Sequence, residues 1–447
     1  MRKILVTTML ALTLLPAVAS DHVMDATKHQ DSNKSNAPAS LELSLQQAQD
    51  YAIQNNRSLK NASLAVQEAY AQRWQTIAAM LPQADGSYAY SNYCGYSAEM
   101  STAMGSFTIN MPNVGALGLT ASVGLNGQGI VGVLLNNIAI DMKKISLEQS
   151  ESEIRASITT SYVSVLLMND IKQLLDSSLS NIVALADMTQ KTVDAGAAEQ
   201  TAADQISVRI NTLKNNINST NRNVELAKNS LRVLLAVPAD TELTLTDSIG
   251  DLLSAETILQ LLSEDFNIER NLNFQLLEKN VELAKKNVHM AAWAYGPTLS
   301  AAYNYTNQQY YGEGGMRMTP PNLVQLSVRM PLWSSGKRAA GVVEKKIALE
   351  EARNTLEETT GNLGIQYQQL RFNLQNAFET YSNEKENIEV TERVFESTTN
   401  KYQWGAASNL ELTNASNDLI SAQSSYVQAV LTLVNAQVEL TKFLNNN

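Results

Sequence analysis

From Val324 to Met330 apolar side chains take every second position (Val324, Leu326, Val328, Met330), with Gln325, Ser327 and Arg329 between them. That alternation marks a strand with two unlike faces. After Pro331 the period ends. From Ala339 to the last residue there is no proline, and small and aliphatic residues recur at helical spacing in a long polar segment. Three other stretches alternate in the same way: Ala84–Asn92, Leu117–Val123 and Thr298–Thr306. Ala84, Gly86, Tyr88 and Tyr90 share one face of the first, and Leu299, Ala301, Tyr303 and Tyr305 one face of the third. The opposite faces hold Ser87, Thr120, Ser122, Ser300, Asn304 and Gln325, which suit a water-filled interior. Short strands with tyrosines toward their ends match the span and aromatic girdle of an outer-membrane barrel.

The strands belong to an internal repeat. A shift of 215 positions lays Asn56–Tyr93 on Asn271–Gln308 and matches Asn56, Val66, Ala69, Ala79, Pro82, Tyr88, Tyr90 and Asn92 to Asn271, Val281, Ala284, Ala294, Pro297, Tyr303, Tyr305 and Asn307. A shift of 209 sets Gly196-Ala197-Ala198 on Gly405-Ala406-Ala407. Two copies of one unit follow, 43–236 and 263–447, each reading helix, strand, loop, strand, long helix, Gly turn, helix. The predicted helices are Leu45–Ala79, Val133–Asp194 and Glu199–Ala236 in the first copy, and Leu272–Trp293, Ala339–Lys401 and Leu410–Leu444 in the second. The first long helix would run ~90 Å at 1.5 Å per residue. Helices of this length, rich in small residues, suit a hollow or multi-stranded coiled assembly better than a compact globule. Residues 237–262 link the copies, and Ala236–Glu256 reads as a small belt outside them. In the first copy the strand exit is "GLNGQGI", Gly124–Ile130, and a bend is expected there as at Pro331.

The amino terminus adds a location. A basic start (Arg2, Lys3), an apolar run from Ile4 to Leu15 and the spacing Ala17-x-Ala19 read as a signal peptide over 1–19, followed by a polar flexible segment over 20–42. No later apolar run approaches the ~20 residues of a spanning helix, so any membrane passage uses strands. Cys94 is the single cysteine, which excludes an intrachain disulfide, and the net charge of −11 argues against nucleic acid. Four strands cannot close a barrel, and lipid does not tolerate open edges, so the membrane reading requires several chains to share one barrel. The competing reading is a soluble periplasmic coiled-coil adaptor or scaffold with two β-hairpins.

The order of elements, Pro82 and Pro297 before the first strands, the "MPLWSSGKR" exit at Met330–Arg338 and the paired Gly turns resemble the TolC family of outer-membrane efflux proteins. The resemblance covers Leu43 to Leu444. It implies a mainly α protein with a membrane β-barrel: a homotrimer whose shared 12-stranded barrel, four strands per chain, continues into an α-helical periplasmic tunnel. It further implies an outer-membrane channel of a tripartite efflux or type I secretion system in a Gram-negative bacterium, working with a periplasmic adaptor (membrane fusion protein) and an inner-membrane transporter. Barrel would pass into tunnel at Pro82, Pro297, Pro331 and Gly336. Gly196, Ala197, Ala198, Gly405, Ala406 and Ala407 would form the adaptor-docking tip. The family's two aperture aspartates fall on Glu411 and Asn414, one acid kept and one neutral. Three copies of Glu411 would ring a narrow passage and favour cations. A solvated helix charge is the plainer reading of that residue. Tyr402 matches a family tyrosine of the closed-state lock, whereas Ala407 stands in place of the lock arginine. Trp404 is expected to pack at the tip.

Catalysis has no parts to work with. His22, His29 and His289 are scattered, so neither a zinc site nor a triad is expected, and no cofactor. "GEGG", Gly312–Gly315, lacks the lysine and helix of a phosphate loop and reads as a surface turn. Met100, Met104, Met111, Met316 and Met318 fall in the two outer loops, where filler is preferred over a soft-metal site.

Overall fold

The computed structural model describes residues 40–102, 105–196, 199–311 and 320–444. Outside them lie the signal peptide, nearly all of the polar segment with His22 and His29, Met104, Ala197, Ala198, Gly312–Gly315, Met316 and Met318. The elements run β1 (Ser40–Leu43), α1 (Leu45–Asn55), α2 (Arg57–Ala78), β2 (Gln83–Ser91), β3 (Ser97–Thr102), β4 (Gly105–Asn110), β5 (Asn113–Asn126), α3 (Gly127–Asp194), α4 (Gln200–Leu235), β6 (Glu242–Leu245), α5 (Ile249–Leu252), α6 (Ala255–Ser263), α7 (Leu272–Ala292), β7 (Thr298–Tyr311), β8 (Asn322–Arg329), α8 (Lys337–Gln403) and α9 (Asn409–Leu444). The chain divides into two compact units that cut across the repeat: Ala65–Lys144 with Leu276–Leu356, and the described part of Met24–Leu64 with Ile145–Gln275 and Glu357–Asn447.

The first unit holds an antiparallel sheet in the order β2-β5-β7-β8. Its register carries the two-faced pattern across all four strands. Tyr88 stands opposite Leu117, Leu119 opposite Tyr305, Ala121 opposite Tyr303, and Leu299 opposite Val328. These positions make one continuous apolar face. On the other face Thr120 donates to Asn304 at 2.9 Å and Ser300 meets Ser327 at 2.7 Å. β5 and β7 reach 14 residues each, longer than the alternation suggested, because the ladder continues through small and polar positions. The β3–β4 hairpin was not anticipated from the sequence.

The first-copy exit differs from its expected bend. β5 ends at Asn126 and α3 begins at Gly127 with no residue between, and none of the glycines there has a positive φ. Those glycines supply room instead: a Cβ on Gly127 would lie 2.1 Å from the Trp293 ring, and one on Gly129 2.9 Å from Met80 Sδ. In the second copy the chain does bend, with Ser335 at φ 48° and Gly336 at φ 81°. Arg338 holds that loop, donating to the Pro331 carbonyl at 2.7 Å and to Ser334 Oγ at 3.1 Å while its guanidinium lies over Tyr295.

The second unit is helical around a core that includes Ile158, Tyr162, Leu231, Leu374 and Leu433. Its small parallel sheet pairs β1 with β6, so the segment between the repeats packs against the start of the first. Tyr162 fixes that sheet: its hydroxyl donates to the Leu43 carbonyl at 2.9 Å and accepts from Asp247 N, while Asp247 Oδ2 accepts from Leu45 N at 2.7 Å.

The predicted helix Leu45–Ala79 is broken at Asn56, which caps α2. Its Oδ1 accepts from Ser58 N and Leu59 N, and its Nδ2 donates to the Leu234 carbonyl at 2.8 Å, at the end of α4. Asn271, its partner in the repeat, does the same for α7: Oδ1 accepts from Asn273 N and Phe274 N, and Nδ2 donates to the Phe443 carbonyl at 3.0 Å. Both side chains are buried. One polar side chain thus starts each short helix and seals the end of each return helix.

Candidate functional site

Of the residues predicted for the tip, the described ones lie in the turns that end α3 and α8. Gly196 and Gly405 both take the left-handed conformation, φ 74° and 69°. A helix end capped in this way favours glycine because only it lacks the Cβ penalty. Gly405 N donates to the Tyr402 carbonyl, and Ala406 N to that of Lys401. Trp404, carried past the last turn of α8, is 87% exposed in the single chain, and Leu410, six residues on, is 68% exposed.

Below the turns, Ile182, Leu185, Ile206, Leu213, Leu412 and Leu419 form one apolar cluster from α3, α4 and α9, joined by Phe395 of α8. Tyr402 lies half-buried against it. Tyr402 also faces Arg209 of α4: burial lowers the arginine's pKa, and the tyrosine opposes that shift. The sequence reading passed over Arg209; its signal was a lone cation among Ile206, Ile210 and Leu213 on one helix face.

Glu411 and Asn414 are exposed on the same side of α9, one helical turn apart, with Leu412 and Ala415 buried. Glu411 also has a local structural role. Its Oε2 accepts from Ser408 N at 2.6 Å, and its own N–H donates to Ser408 Oγ at 3.2 Å, which is a capping box. The Ser408 bonds, with a smaller contribution from Lys401, hold its carboxyl below the usual range, so it is charged at neutral pH. At the junction positions, Pro82 and Pro297 each directly precede a first strand, β2 and β7. Among the described residues no group of three or more His, Cys, Asp or Glu is placed to hold a metal ion.

A four-stranded two-faced sheet with long helices in a duplicated chain defines the fold of the outer-membrane channels. The structure of CusC, which reports its folding and transmembrane channel formation, matches at a TM-score of 0.70, 18% identity and 90% of this chain against 91% of that one. The outer membrane protein VceC of Vibrio cholerae matches at 0.69 with 15% identity, over 90% and 95% of the two chains. The open state of the Neisseria gonorrhoeae outer membrane channel MtrE matches at 0.67 with 16% identity, over 90% and 88%. No curated protein matches by sequence. Residues 267–446 match the family model described as outer membrane efflux protein. That match takes in the second copy, and the likeness of fold to the solved channels extends over 90% of the chain.

Proposed function

We propose that this protein is the passive exit duct of a tripartite efflux or secretion system in a Gram-negative outer membrane. Three copies close one twelve-stranded barrel, and their helices form the periplasmic tunnel. One observation carries the reading: the sheet has an apolar face exposed on strands that end in two free edges. Val324, Leu326 and Val328 are 70%, 79% and 72% exposed. A soluble scaffold would leave that face in water, whereas lipid covers it. β2 and β8 are the edges, and three successive antiparallel pairings make them antiparallel to each other. Joining β8 of one copy to β2 of the next therefore continues an antiparallel barrel and removes both edges.

Within this assembly the Gly196 and Gly405 turns, with Ala197, Ala198, Ala406 and Ala407, dock a periplasmic adaptor, and an inner-membrane transporter supplies substrate and energy. Pro82, Pro297, Pro331 and Gly336 turn barrel into tunnel. Glu411, with Asn414 beside it, lines the aperture, and three charged carboxylates there favour cations. Tyr402 closes against Arg209 in the place where the family's lock uses another arginine. The native mass of the detergent-extracted protein tests the reading. Three copies, recovered only in detergent, are expected; a detergent-free monomer would overturn it.

A further inference from the structure

Hydroxyl side chains along α3 mostly return their proton to the helix. Ser150, Ser157, Thr159 and Ser164 each donate to the carbonyl four residues back, at 2.7–3.0 Å. Ser152 does not. It is 3% exposed, and its Oγ makes no hydrogen bond to the protein. A buried hydroxyl without a partner is costly, so a ligand or water is called for.

Ser152 lines a cleft of about 270 Å³ between α1, α3 and the end of α9. Gln49, Arg155, Thr159, Gln437 and Lys442 share the lining, and no carboxylate does. The cations have partial partners, of which only Gln49 belongs to the lining. Arg155 reaches Asp50 only at 3.8 Å and Gln49 Oε1 at 3.4 Å, and Lys442 pairs with Glu439 at 3.0 Å. Arg155 and Lys442 carry five guanidinium and three ammonium hydrogens, more than these three partners take up. The missing component is an acceptor-rich, negatively charged group.

The repeat supplies a contrast. At the offset of 209 that aligns the Gly turns, Ser152 and Arg155 correspond to Gly361 and Gly364. A Cβ at either glycine would meet nothing within 4 Å. Ser152 and Arg155 are thus features of the first copy that the duplication does not repeat.

We infer that this cleft is a binding site for a small oxyanion, phosphate or carboxylate, held by Ser152, Arg155 and Lys442. The anion accepts from all three and ties the end of α9 to α1 and α3. Calorimetric titration of the detergent-purified protein with inorganic phosphate, and separately with malonate, tests it against sodium chloride at equal ionic strength. Saturable binding of one anion is expected, and the preferred one identifies the chemistry. Arg155→Gln should weaken it at least tenfold and Ser152→Ala several-fold, with Arg353→Gln unchanged. Lys442→Gln serves as the second variant should Arg155→Gln fail to fold. No saturable binding of either anion, or undiminished binding by both charge variants, overturns the inference.

Discussion

Replacing Asn56 with alanine removes three hydrogen bonds at one buried point. The cap on α2 is worth about 1 kcal/mol. The Leu234 carbonyl, which accepts from Asn56 Nδ2 at 2.8 Å, is left facing an apolar methyl. A buried polar group stripped of its partner adds about 1–3 kcal/mol. Together these make local opening of the first turn of α2 easier by roughly 2–4 kcal/mol, or between about thirty and about a thousandfold in opening equilibrium. Hydrogen exchange of the Ser58 and Leu59 amides reads this directly, without requiring the whole protein to unfold. Asn271→Ala should accelerate Asn273 and Phe274 by a similar factor, because its three bonds have the same pattern. Asn56→Ser, which keeps a cap acceptor but is too short to reach Leu234, should recover about 1 kcal/mol. Exchange that rises less than threefold in the alanine variants would refute the clamp. So would a response at one site and none at the other.

Gly127→Ala should destabilise the folded chain by about 1–3 kcal/mol through its overlap with Trp293, as lowered thermal stability in detergent, and Trp293→Ala in the same chain should relieve it. Glu411→Gln should reduce cation preference in planar bilayers; unchanged selectivity would remove the residue from the aperture. Because the folded-state pKa of Glu411 is depressed, its cap stabilises α9 fully above the ordinary glutamate value of about 4.3 and loses that contribution as pH falls through the lowered value. Protection of Ser408 N relative to its intrinsic exchange rate should therefore fall in acid in the native protein, and Glu411→Gln should show no such fall.

Strand faces were legible because a period of two survives in any single strand: every apolar position named in Val324–Met330 lies on the sheet's apolar face up to Val328, the last before β8 ends. The long helices were legible from the spacing of proline and glycine, and α3 and α8 run past their expected starts by only a few residues. The break at Asn56 was not read as one, although Asn56 and Asn271 head the repeat's identities, because asparagine inside a helical pattern does not say whether it caps or faces solvent. The β3–β4 hairpin escaped because Ser97–Thr102 offers few apolar side chains to alternate. The glycines of Gly124–Ile130 suggest a bend in the sequence; only the positions of Trp293 and Met80 reveal that Gly127 and Gly129 make room for side chains. Arg209 against Tyr402 joins two helices remote in sequence, which no local period encodes.

The two free edges of the sheet have a genetic consequence. In the proposed ring each seam is built from β8 of one chain and β2 of another, so a chain damaged at either edge spoils a seam it shares with an intact neighbour. A proline in β2 or β8, harmless to the chain's own helices, would act dominantly. When sound and damaged chains are made together, the fraction of closed rings falls as the cube of the fraction of sound chains.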